Sequence, residues 1–194
     1  MGLWGATDAD EAKPKFLTSD QKDEIQATSS GWVVEAGSSM TGNGNTSAQK
    51  EVLVAIRGLA TKIGNATVDS VDWNITTFDK SAGGTLSLTV RYNEAVTVTG
   101  NPTIAVTNGN QGSGSGRGPH TLAYASGSGT NELIFTLAIG AANNATNAND
   151  VLTVGAQNIA LAGGTMKDTI GATNAERAVT AGQGTACGSI TVVA

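Results

Sequence analysis

Residues 85–106 read TLSLTVRYNEAVTVTGNPTIAV, and their opening half alternates strictly between apolar and polar side chains. Leu86, Leu88, Val90 and Tyr92 share one face, while Thr85, Ser87, Thr89 and Arg91 share the other. An alternation of this period places one face of an extended strand against a core and leaves the other outward. Fully burying each large apolar side chain contributes about 1.5–3 kcal/mol, so this strand alone can anchor a domain. Asn93-Glu94 interrupts the pattern, Val96 and Val98 resume it, and Gly100-Asn101-Pro102 turns the chain into a further strand carrying Ile104 and Val106. An antiparallel sheet is therefore the organising element.

Working outward, Val71, Trp73 and Ile75 alternate with polar neighbours and supply the strand before it. Beyond it, Leu122 and Tyr124 share a face, as do Leu133, Phe135, Leu137 and Ile139. Val151–Val154, then Ile159 and Leu161, add short apolar runs. Ser189–Val193 reads as a closing strand, expected beside Val71–Ile75. Residues 107–119 (TNGNQGSGSGRGP) read as a surface loop, and Met166–Ala178 as irregular. Short strands at intervals of about 8–12 residues, separated by turn-rich stretches, predict an all-β protein, an immunoglobulin-like β-sandwich over residues 69–194.

Residues 1–68 differ in character and are expected to form a mostly irregular attachment segment with short strands at 31–34 and 51–56. Thr18-Ser19-Asp20-Gln21 has the form of a helix capping box, compatible with a short helix over Ser19–Ala27 or with a polar turn. Leu3 and Trp4 stand between glycines ahead of the polar run 7–13. They read either as a docking peptide or as a terminus folded onto its own core.

Composition narrows the function. In 194 residues, charged side chains make up 14% and aromatics 4%, while Gly numbers 26, a balance that suits short strands and many turns rather than a helical bundle. A net charge of −5 offers no basic stripe for nucleic acid. Cys187 is the only cysteine, which excludes an intrachain disulfide and a cysteine-based zinc site. The N-terminus lacks a basic region followed by an apolar run, and no stretch reaches membrane-spanning length, so neither secretion nor membrane insertion is expected. Ala6 stands where a myristoylation motif takes Ser or Thr.

Catalytic chemistry finds little footing. His120 is the only histidine and is expected to be solvated or on an edge strand. No serine sits in a Gly-x-Ser-x-Gly elbow. Asp72, Asp79, Glu94, Asp150 and Asp168 are scattered at strand ends and turns, where capping roles are expected. The glycines at 112, 114 and 116 lack the Lys-Ser/Thr ending of a phosphate loop. No enzymatic activity, cofactor or metal site is expected.

Two resemblances add to this reading. YNEAVTVTGNPTIAVTNG, LAYASGSGTNELIFTLAIG and VLTVGAQNIALAGGTMKDTIGATNAE, which together cover about residues 70–180, resemble bacterial immunoglobulin-like repeats of cyanobacterial surface and adhesion proteins. The opening MGLWGATDADEAKPKFLT, the Gly-Trp-Val at 31–33, EVLVAIRGLAT at 51–61 and the closing ITVVA resemble small structural proteins of T4-like marine cyanophages. That second resemblance implies a virion structural protein made in the host cytoplasm, foremost a capsid decoration protein on the outer particle surface. Its start implies a shared attachment peptide, with Leu3, Trp4, Pro14, Phe16, Leu17 and Trp32 as the docking residues. Expected partners are the major capsid protein or other virion proteins, with further copies of the chain itself and host surface glycans also in view. The other readings are a neck, tail or fibre accessory protein and a glycan-binding adhesion module.

Overall fold

The computed structural model describes residues 13–14, 16–28, 31–42, 44–55, 65–109, 117–142 and 144–194. The N-terminal part contains α1 (Ser19–Asp23), β1 (Ile25–Thr28), β2 (Gly31–Val34) and β3 (Glu51–Ala55). The body follows with β4 (Val68–Trp73), β5 (Phe78–Asp79), β6 (Gly84–Thr99), β7 (Thr103–Asn108), β8 (His120–Ser126) and β9 (Thr130–Ile139). It ends with β10 (Val151–Thr153), β11 (Gln157–Asn158), β12 (Thr165–Asp168), β13 (Ala178–Val179), α2 (Ala181–Cys187) and β14 (Ser189–Val193). The protein is all-β in class, with two short helices among the described residues.

β6 is the spine of the body. Its first half pairs with β4 on one side (Val71 opposite Val90) and with β9 on the other (Leu88 opposite Phe135). Its second half takes β12 in place of β4, with Met166 opposite Val98. From β9 the sheet continues through β8, β7, β10 and β14 to β5, all antiparallel except the final β14–β5 pair. The sheet curls, so the inward faces of its two ends share one core. Leu86, Leu88, Val90 and Tyr92 of β6 sit there with Leu133 and Phe135 of β9, Leu152 of β10 and Ile190 of β14, all at most 3% exposed. The alternation read from the sequence is thus the alternation of burial.

At Asn93-Glu94 the strand does not end. The register with β9 shifts between Arg91 and Val96, and both Asn93 and Glu94 are buried. This is a β-bulge, which breaks the period of two while letting the strand run on with stronger twist. Asn93 is held to the start of β4: its N–H donates to Thr67 O (3.1 Å), and its Oδ1 accepts from Thr67 N–H (2.8 Å).

The closing strand departs from expectation. β14 pairs with β10 (Ile190 opposite Leu152) and with β5, not with Val71–Ile75. The outer edge of β4 is instead taken by α2, whose Gln183 Nε2 donates to Val68 O (2.7 Å) and Asp69 O (3.2 Å). Gln183 is also the third residue of the capping box opened by Thr180. Gly184 is required because a Cβ there would stand 2.2 Å from Val154 O. Met166–Ala178 is likewise less irregular than its polarity suggests, since β12 pairs with β6 and Ala175 N–H donates to Met166 O (3.1 Å).

A second glutamine covers another edge. β10 pairs with β7 at Thr107 and Asn108 only. Upstream, Gln157 Oε1 accepts from Ala105 N–H (2.8 Å) and its Nε2 donates to Ala105 O (2.7 Å), so one carboxamide imitates a strand residue. Covered edges cannot recruit foreign strands. Gln157→Ala orphans both Ala105 groups, and Gln157→Glu turns a donor into an acceptor facing a carbonyl. Each is expected to lower stability by about 1–2 kcal/mol, seen as a lower denaturant midpoint with an unchanged slope.

Candidate functional site

The residues named for docking fall in the N-terminal part, which has a small core of its own. Thr18 caps α1: its N–H donates to Gln21 Oε1 (3.0 Å), and its Oγ1 accepts from Gln21 N–H (3.3 Å). The helix stops at Asp23 because Ile25, Ala27, Trp32 and Val34 are needed on one side of the hairpin that follows. β1 pairs with β2 (Ala27 opposite Trp32), and β2 pairs with β3. Leu17, Ile25, Ala27, Trp32 and Val34 form the core, with Met40 and Leu53 packed against it. This segment is therefore more regular than its composition suggests.

That packing sorts the predicted docking residues. Trp32 is 2% exposed, and Leu17 and Pro14 are also buried, so all three face inward. Phe16 is 73% exposed. Leu3 and Trp4 lie outside the described residues. Phe16 and Leu17 are thus neighbours in sequence with opposite orientations, Leu17 filling the module's core and Phe16 open to solvent.

The module is clamped to the outer face of the body by a charged seam centred on Arg91. Its Nη1 donates to Asp23 O (2.9 Å) and lies 3.4 Å from Glu35 Oε2. Its Nη2 reaches Glu132 (3.1 Å) and its Nε reaches Asp72 (3.5 Å). Lys13 pairs with Asp69, and Asn131 donates to Glu35. Burial raises the Glu35 carboxyl above its ordinary range, with the Asn131 hydrogen bond opposing that shift. Burial also lowers the Lys50 ammonium. The planar, permanently charged guanidinium suits this junction because it serves several acceptors at once. The alternation places Arg91 on the outward face; its four acidic or carbonyl partners come from distant segments, which no local pattern reveals.

His120 departs from expectation. It is 5% exposed, at the start of β8, within a buried polar chain. Asn108 Nδ2 donates to Asp150 Oδ2 (2.8 Å) and lies 3.4 Å from His120 Nε2, while Asn147 N–H donates to Asp150 Oδ2 (2.7 Å). With Asn108 presenting its amide hydrogens, His120 Nε2 serves as acceptor, which requires a neutral ring. Burial lowers the His120 pKa, and the Asp150 charge opposes this only in part. Asp79 and Asp168 act as turn caps, accepting from Ser81 N–H (2.7 Å) and Ile170 N–H (2.6 Å). Among the described residues no three His, Cys, Asp or Glu side chains converge on a metal-binding position.

Two expected outcomes follow from these contacts. Arg91→Met should release the seam by about 1 kcal/mol, the modest figure reflecting the exposure of Asp72 and Glu132. Amide exchange in β1 and β2 should accelerate about fivefold, and added salt should narrow the gap to wild type. For His120, a lowered folded-state pKa means that the unfolded chain binds the extra proton first. Its contribution is complete above the unfolded value near 6.5 and is lost as pH falls through the folded value. Wild type should lose stability as pH falls below about 6.5, and His120→Gln should lack that component in paired denaturant titrations.

No family model, curated protein or solved structure matches the chain.

Proposed function

We propose that this chain is a structural protein of a phage virion, a decoration protein that docks on the outer capsid through its N-terminal module. In this reading the body is an immunoglobulin-like sandwich directed outward, and the partner is the major capsid protein. The likeness of residues 1–18 to a shared virion attachment peptide supports it. The observation that carries it is Phe16: a large aromatic left 73% exposed at the end of that peptide, while Pro14, Leu17 and Trp32 are buried. Exposed aromatics that enter a partner's pocket tend to dominate interface energies. The immunoglobulin-like assignment draws on many short antiparallel strands folded about one core.

The test is loading of purified protein onto particles stripped of it. Phe16→Ala and Trp4→Ala should each keep the wild-type melting temperature and weaken loading, about thirtyfold for a loss of 2 kcal/mol. Trp32→Ala should instead melt the module, because it empties the centre of a small core. Apolar anchoring should persist at high salt, whereas docking through Asp8, Asp10 and Glu11 should weaken. Wild-type occupancy of both Phe16→Ala and Trp4→Ala at low and high salt would overturn the proposal. Loading on tails or necks alone would replace the capsid with another virion partner.

A further inference from the structure

Away from the N-terminal module, a groove of about 400 Å³ opens between β11, β12 and the segment leading into β13. Its volume lies within the range of about 300–1,000 Å³ usual for small-ligand sites. Leu161 and Met166 supply apolar lining, and Asn158, Asn174, Glu176 and Arg177 stand around it. The walls are fixed by hydrogen bonds. Ile159 N–H donates to Arg177 O (2.9 Å), Tyr92 OH donates to Glu176 O (3.0 Å), and Glu176 N–H donates to Ala66 O (2.8 Å). Arg177 Nη1 donates to Ile159 O (2.7 Å), which sets the plane of the guanidinium.

Arg177 is tied to Ile159 O and Thr165 to Thr99, whereas the side-chain ends of Asn158, Asn174 and Glu176 make no hydrogen bond among the described residues. Among the described residues no carboxylate pairs with Arg177. At the Arg91 seam, by contrast, the polar ends lining the cavity bond largely to one another: Glu24 to Ser38 and Ser39, Glu35 to Asn131 and Arg91. Asn158, Asn174 and Glu176 are exposed and Arg177 is half-buried, so water can reach all four.

We propose that this groove binds a neutral saccharide. Two carboxamides, a carboxylate and a guanidinium are planar groups that donate to or accept from adjacent hydroxyls, and a polyhydroxyl ligand without net charge can use all of them together. Leu161, half-buried, leaves part of its apolar surface to the C–H face of a sugar ring, over the buried Met166. An anion fits less well, because Glu176 adjoins Arg177 and the chain carries a net charge of −5. The walls are already in place, so binding need not order a loop. This inference does not depend on capsid docking.

The test is an NMR titration of the full-length protein with D-galactose, D-mannose, L-fucose, lactose and mannobiose, with sodium glucuronate as the charged comparison. At least one neutral sugar should give saturable amide shifts at residues 158, 161 and 174–177, with Kd of about 1 mM. A disaccharide binding more tightly than its monosaccharides would mark a polymeric glycan, and equal binding a free sugar; either supports the proposal. Asn174→Ala alters no hydrogen bond made by that side chain within the fold, so it should keep the melting temperature and weaken binding about tenfold. Arg177→Gln should weaken binding similarly. Absence of saturable shifts, shifts mapping elsewhere, unchanged binding by Asn174→Ala, or binding of glucuronate alone would overturn the proposal.

Discussion

The molecule depends on one strand having two faces. Inward, β6 places Leu86, Leu88, Val90 and Tyr92 in the body's core at full burial. Outward, the same strand presents Arg91, to which the N-terminal module is clamped. Because side chains alternate with period two, neither face can shift without the other. A slip of one residue would bury Arg91 and expose the apolar set together, so the core fixes the position of the clamp. The bulge at Asn93-Glu94 adds a second constraint, letting one strand serve β4 and then β12 along the same edge.

Edge management shapes the rest. Glutamine carboxamides cover β4 and β7, each supplying a peptide-like donor or donor–acceptor pair without adding a strand. This explains why two glutamines in Gly- and Ala-rich stretches carry structural weight beyond their local surroundings. It also explains why β14 lies between β10 and β5, for α2 already occupies the position beside β4.

Strands with strict alternation were legible: β6, β8 and β9 follow the apolar pattern of Leu86–Tyr92, Leu122–Tyr124 and Leu133–Ile139. Strand partners were not legible where a helix or a bulge intervened, since pairing is decided by distant groups such as Gln183. The capping box of α2, Thr180-x-x-Gln183, was a local signal for the missed helix. His120 was misjudged because a histidine after Gly-Pro looks solvent-facing, while Asn108 and Asp150, which bury it, come from other strands and loops. In the N-terminal part the apolar residues were visible, but their direction was not. Phe16 and Leu17 are equally apolar in sequence, and only the small core distinguishes them.

The placement of the clamp has a mechanical consequence. Asp69 and Asp72 belong to β4, Arg91 to β6, and Asn131 and Glu132 to β9. A pull applied through the chain ahead of Lys13 therefore enters three adjacent strands together, at the β4 end of the sheet. Tension delivered to β4 alone, the outermost of the three, would open its ladder one hydrogen bond at a time, like a zip. Here the strain is shared sideways across neighbouring ladders, and the strand receiving most of it is the one most deeply fixed by the core.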